Sequence, residues 1–422
     1  VQVPENIKRF AMETAPIRQR VYLKPLTWLL SYPAVWGKRL RIHRTGMAGI
    51  KPPYLLLCNH NAFLDFKVTT AAIFPRGANY VVAIDGFIGR EWLLRNVGGI
   101  CKRKFTNDIS LVRHIRTVLH THGDILALYP EARYSMVGTN AELPESLGKI
   151  IRLLLVPVVI LKMHGHHLSS PVWNLKPRRN RIEADLTCVF RPEELAGLSV
   201  TDINHRVAEA FRYDDYAWQK ENGIRIALPT RAEGLHHVLY QCPACLRESR
   251  MGSEGTHLFC EACGKRWHMT EYGELEAVSG ETEFSHIPDW FAFQREQVRG
   301  QLVAGTYAFS DEVVVEWLPN AKGYIRLGKA RLTHDAAGFR LEGECNGAPF
   351  LLVKEPRSMY ACHIEFQYQG KGDCIDLSTL EDTYYLYPQT ARQVVTKVSL
   401  AVEELYRLSG NGKPSTGSVQ AR

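Results

Sequence analysis

No apolar stretch in this 422-residue chain is long enough to cross a bilayer. The longest uncharged apolar run, Leu153 to Leu161, has nine residues and contains Pro157, whereas a spanning helix needs about 20. A signal-peptide core is missing as well, because Glu5, Lys8, Arg9 and Glu13 interrupt the N-terminus. The sequence has no internal repeat and no Ser or Cys nucleophile motif. Ten cysteines are too few for a disulfide framework across this length, and four of them share one cluster. With no signal peptide, this implies a reducing, cytoplasmic setting. Apolar residues make up 45% and charged residues 23%, which excludes a disordered chain, a collagen-like repeat and a polytopic membrane protein.

The length implies two to three domains. The formal charge of +8 is unevenly spread. Residues 1–230 carry 32 basic and 19 acidic side chains, a balance of +13, and residues 231–422 carry 20 and 25, a balance of −5. The first part therefore favours an anionic partner: nucleic acid, an anionic membrane or a phosphorylated ligand.

Residues 1–50 read as an amphipathic helical segment, with an aromatic-rich stretch from Pro25 to Trp36 flanked by Arg18, Arg20, Lys24, Lys38, Arg39 and Arg41. Two readings fit it: a segment lying in a membrane interface, or a helix packed on the next domain. Residues 51–230 alternate strand and helix. Strand-length runs occur at Tyr54–Cys58, Asn79–Ile84, Ile125–Tyr129 and Leu154–Leu161, with a helix from Ile109 to Leu119 behind Asp108. The fold class expected is α/β, a sheet covered by helices. Residues 290–408 read as a β-rich domain: strand candidates are Val313–Leu318, Tyr324–Leu332, Gly338–Glu342, Phe350–Lys354, Tyr360–Phe366, Cys374–Leu377 and Tyr384–Tyr387, and a helix over Ala391–Leu408 follows them. That order resembles the pleckstrin-homology-like architecture. The Ser/Gly-rich tail 409–422 is expected to be disordered.

In Cys58-Asn-His-Asn-Ala-Phe-Leu-Asp65, His60 and Asp65 are five positions apart. On one helix that is about 500°, so the two side chains would not share a face. They meet if His60 lies on the turn leaving the first strand and Asp65 on a following helix, at a strand's C-terminal edge. Three further blocks follow: Gly98-Gly-Ile-Cys-Lys-Arg-Lys104, Tyr129-Pro-Glu-Ala-Arg-Tyr-Ser135 and Val156-Pro-Val-Val-Ile160. In this order, over about residues 50–165, they resemble the four motifs of the glycerolipid acyltransferase family, the PlsC-like lysophosphatidic acid acyltransferases. The usual forms are NH-x4-D, a Gly-x5-Arg-like block, F-P-E-G-T-R-S and a V-P-V-V-P-like strand.

The resemblance implies that His60 is a general base taking the proton of an acceptor hydroxyl, and that Asp65 orients it. It implies acceptor binding by Glu131, and by a basic residue of the second block, Arg103 or Lys104. The third block departs from the family: Tyr134 stands where the phosphate-binding Arg is usual, and Arg133, one place early, is the acceptor-binding candidate in its stead. Glycerol phosphate recognition is therefore in doubt, and another lysolipid or a glycolipid acceptor is open.

Cys242-Pro-Ala-Cys245 and Cys260-Glu-Ala-Cys263, 14 residues apart, form two C-x2-C knuckles. They suit a structural Zn²⁺ site with no open position, in a ribbon over residues 240–270. A redox pair and disulfides are the rivals. The ribbon lies in the acidic part of the chain, so no nucleic-acid partner is expected. The expected function is acyl transfer from acyl-CoA or acyl carrier protein to a lysophospholipid-like acceptor by a cytoplasmic protein peripheral on an anionic membrane surface. The alternative is a non-catalytic lipid- or protein-binding scaffold on the same fold.

Overall fold

A computed structural model describes residues 7–345 and 348–411. Of the tail expected to be disordered, residues 412–422 lie outside the described ones. The chain is mixed α/β, with a largely parallel sheet wrapped by helices and two antiparallel sheets.

The first sheet has seven strands, in the spatial order Arg41–Thr45, Glu183–Phe190, Val158–His164, Tyr54–Cys58, Ile125–Leu128, Ala78–Ala83, Gly99–Lys102. All neighbours are parallel except Val158–His164 with Glu183–Phe190. Tyr-Leu-Leu-Leu-Cys at 54–58 is apolar throughout because helices cover both faces. Leu55 and Leu57 pack toward Leu111, Ile151 and Val207, while Tyr54, Leu56 and Cys58 pack toward Val35, Val68 and Ile73. Helix Ile109–Arg116 starts where Asp108 accepts the Ser110 and Leu111 amides.

Several boundaries differ from the sequence expectation. Among the described residues up to 50, only Lys24–Gly37 forms an α-helix, and Arg41–Thr45 is the edge strand of the first sheet. Residues 9–12 instead run to the far end of the chain, where Arg9 pairs with Asp382 at 3.0 Å and the Phe10 amide donates to Pro319 O. The run 154–161 splits. Helix Ser146–Leu154 ends at Leu155, whose φ of 47° is left-handed, and Pro157 delays the strand to Val158.

The ribbon sheet has four antiparallel strands, in the order Leu275–Ala277, Arg266–Met269, His257–Cys260, Met251–Glu254. Helix Ile287–Val303 follows and was not foreseen. Its buried residues Ile287, Trp290, Phe291, Gln294 and Val298 keep helical spacing, but the polar Gln294 interrupts the stripe. That side chain is fully used: it accepts the Gln241 amide and donates to Val238 O.

The last sheet is antiparallel: Ala348–Lys354, Gly338–Cys345, Ile325–Asp335, Phe309–Trp317, Thr383–Pro388, Cys374–Ser378, His363–Glu365. Each strand overlaps one of the seven apolar runs read from the sequence. The closing helix is Val395–Tyr406, shorter than expected and buried on nearly every side. One continuous core joins the parts. It runs from Met136, Leu168 and Trp173 through Met251, Leu258 and Trp267 of the ribbon to Trp290, Trp317 and Leu341.

Candidate functional site

Five parallel strands end on one edge, and the residue or loop after each end faces a common region. Strand 54–58 leads to His60, 78–83 to Asp85, 99–102 to Lys104, 125–128 to the loop 129–135, and 158–164 to His166. The carboxyl edge of a parallel sheet is where such folds gather functional groups, because the connections leave a crevice there. Asn59 fixes the first of these turns. Its side chain donates to Met163 O and accepts the Met163 amide, extending the pairing of two strands by one residue.

His60 and Asp65 meet. Asp65 sits in the first turn of helix Leu64–Ile73, and its Oδ2 lies 3.0 Å from His60 Nδ1. The same oxygen accepts the amides of Asn61 and Ala62, and Oδ1 lies 2.7 Å from Nδ1 of His166. Asp65 has no exposed surface. Burial alone would raise its pKa, but hydrogen bonds from His166 and His60 outweigh it and hold the carboxyl at about 2. With Nδ1 of His60 donating to this carboxylate, Nε2 is left as a base. The ring lies between Tyr129 and Tyr134, at 4.5 and 4.4 Å.

A cavity of about 690 Å³ opens at His60, within the size range of small-molecule and cofactor sites. Its wall includes Trp28 and Leu30 of the first helix, Phe66 and Thr70 of the second, Val81 and Leu128 of the sheet, and Tyr360 of the C-terminal domain.

The four remaining residues expected at the site are placed differently. Lys104 lines the cavity, bonded to Asp85 at 3.2 Å. Glu131 does not line it. Its carboxylate accepts the backbone amides of His60 and Ala141, and the Ser135 amide donates to His60 O, so the third block grips the His60 backbone from both sides. Arg133 contributes to the wall, yet its guanidinium is bound to Ser399 at 2.8 Å and paired with Glu403 of the last helix. Arg103 is turned away altogether. It donates to Leu318 O, Pro319 O and Thr383 Oγ1, clipping the first sheet to the C-terminal domain. Between Glu131 and Arg133, Ala132 has a left-handed φ of 54°. This is a conformation that glycine adopts without steric cost.

Sequence reading missed His166, Tyr134 as a partner of the His60 ring, and the C-terminal residues on the cavity wall. His166 carried one signal, since it follows strand 158–164 as His60 follows strand 54–58.

The four cysteines also converge. Cys242 and Cys263 sulfurs lie 3.8 Å apart, Cys245 and Cys260 sulfurs 3.7 Å, and all four fall within 4.8 Å. A tetrahedron with metal–sulfur bonds of about 2.3 Å has edges of about 3.8 Å, whereas a disulfide would need about 2.05 Å. The group can therefore hold a metal ion, and these spacings are not those of disulfides. Each knuckle turns through a left-handed residue directly after its second cysteine, Leu246 and Gly264.

No family model and no curated protein matches the chain. Among solved structures, it is distantly similar to the crystal structure of the 1-acyl-sn-glycerophosphate (LPA) acyltransferase PlsC from Thermotoga maritima. The identity is 16%, the TM-score 0.35, and the match covers 45% of this chain and 79% of that one.

Two outcomes follow from the site. Burial pushes Glu131 up to about 8, against the amide donors that favour its charge. The folded state thus holds the Glu131 proton more tightly than the unfolded chain does. The stability this adds is complete below about pH 4.5 and is lost as pH rises toward 8. Glu131→Gln should remove this slope, and matching wild-type and variant melting curves across pH 5–8 would contradict the assignment. For the cysteines, one bound metal per chain is expected. Stripping it with a chelator should lower the melting temperature and weaken the near-ultraviolet signal of Trp267 and Trp290, whose rings lie 4.8 Å apart in the core. An unchanged melt after metal loss would argue against a structural ion.

Proposed function

We propose that the chain is an O-acyltransferase that moves a fatty acyl group from acyl-CoA or acyl carrier protein to a hydroxyl of a lysophospholipid-like acceptor. One observation carries this reading: a histidine whose Nδ1 is tied to a buried carboxylate borders a largely apolar cavity. In the reaction, His60 Nε2 takes the proton of the acceptor hydroxyl as its oxygen attacks the thioester carbonyl. The carbon–sulfur bond then breaks, and the imidazolium returns the proton to the leaving thiolate. Asp65 fixes the tautomer and offsets the imidazolium charge. Glu131 acts as a positioning residue through the His60 backbone, and Arg103 joins domains instead of binding acceptor. The ion held by the four cysteines is Zn²⁺, which suits an all-thiolate tetrahedral set.

The scaffold alternative draws support from Tyr134 against the His60 ring and from the engaged Arg133. Acyl transfer from palmitoyl-CoA to mixed lysolipids, followed by mass spectrometry, separates the two. His60→Ala should reduce transfer by about 10²–10⁴-fold, and a variant with the wild-type rate removes His60 as the base.

Among the described residues, no helix is long and apolar enough to cross a membrane. Helix Lys24–Gly37 nevertheless exposes Leu29 and Trp36 at 70% and 71%, and Val21 stands just before it at 77%. With nearby Arg18, Arg20 and Lys24, this surface suits the interface of an anionic membrane. The protein should co-sediment with phosphatidylglycerol vesicles, and Leu29→Glu with Val21→Glu should release it. Equal sedimentation of the variant would place the contact elsewhere.

A further inference from the structure

The cavity wall carries a second set of titratable groups that proton transfer at His60 does not use. Asp85 and Lys104 come from the edge of the first sheet, and His363 and Glu365 from strand His363–Glu365 of the C-terminal domain. Lys104 bonds Asp85 at 3.2 Å, and His363 Nε2 lies 2.8 Å from Glu365 Oε1. The other ring nitrogen of His363 has no partner, although the residue is only 5% exposed. A buried, unpaired polar atom on the wall of a cavity calls for a polar ligand.

We propose that Asp85, Lys104, His363 and Glu365 form the headgroup subsite of the acceptor, and that this headgroup is rich in hydroxyls, a sugar or polyol instead of a phosphate. This rests on the acyl-transfer reading above and replaces its lysophospholipid-like acceptor with a lysoglycolipid. Ionised carboxylates accept hydrogen bonds from hydroxyls and repel a phosphate. Both carboxylates stay charged: burial would raise Asp85 and Glu365, but Lys104 and His363 bring them below their usual range.

Three basic residues of the second and third sequence blocks are committed. Arg103 serves backbone carbonyls, Arg133 serves Glu403, and Lys104 is shared between Asp85 and Asp376. The position of the usual phosphate-binding Arg is Tyr134. Lys67, half-buried, and the solvent-exposed Arg76 and Arg90 also line the cavity, which suits the phosphates of the donor. The subsite and His60 border the same cavity. Tyr134, 4.4 Å from the His60 ring, has its hydroxyl pushed up first by burial, then by Asp65, Glu365 and Asp85, with Lys104 opposing.

The test uses the full chain with two acceptors below their micellar concentrations, 1-palmitoyl-3-glucosylglycerol and 1-palmitoyl-glycerol-3-phosphate. Binding is measured by calorimetry and transfer with palmitoyl-CoA. The glucosyl lipid should bind about tenfold tighter or more. Glu365→Gln should weaken that binding about tenfold while sparing or improving the phosphate lipid. Asp85→Asn should act alike, and Glu365→Gln, at a half-buried strand end, serves if that variant misfolds. A phosphate preference, equal binding, no binding of either lipid, or an unchanged ratio in Glu365→Gln overturns the subsite. Transfer to the phosphate lipid alone overturns the subsite and keeps the transferase. Tight glucosyl binding without transfer to either lipid keeps the subsite and rejects the transferase.

Discussion

A fully buried carboxylate has to be paired, and most of the site follows from how Asp65 meets that demand. An isolated charge at zero exposure would cost several kcal/mol, so two imidazoles and two backbone amides surround it. Those partners come from the turn 59–62 and from the end of strand 158–164. The carboxylate thereby fixes the His60 ring, the turn that bears it, and the relation of two strands. Asn59 and Glu131 hold the same turn from other directions, so His60 has little freedom to leave its cavity.

The C-terminal helix is bound by a comparable constraint. Glu403 and Glu404 are buried on Val395–Tyr406, and they require Arg133 and Arg295 as partners. Arg133 belongs to the loop beside His60, so charge compensation on the last helix fixes a loop at the edge of the first sheet. Arg103 adds a second clip, giving its donors to carbonyls at 318 and 319. Residues that resemble substrate-binding cations are thus used to assemble domains, and the C-terminal domain supplies part of the cavity wall in return.

Much of this was legible in the sequence where one rule dominated. The apolar run 54–58 could only be a buried strand, the cysteine spacing defined its own cluster, and the seven C-terminal runs alternated clearly. The meeting of His60 and Asp65 could be reasoned from helix geometry. Reading failed where a residue's partner was distant in sequence. Only its place after strand 158–164 points to His166, and nothing local marks Glu403 as a partner of Arg133, 270 positions away. Gln294 hid a helix because its amide is satisfied by tertiary contacts, and Arg103 looked like a ligand-binding cation because its carbonyl partners lie over 200 positions on.

The spread of the cavity's wall along the chain has a consequence for synthesis. His60 emerges early from the ribosome, whereas His363 and Glu365 emerge some 300 residues later. The histidine–aspartate pairing can form on a nascent chain, but the pocket stays open on one side until the last sheet docks. Closing it requires contacts of very long sequence separation, which form late and slowly. An unfinished chain would therefore have its His60–Asp65 pair before its full cavity, and only the completed one could close that cavity around a ligand.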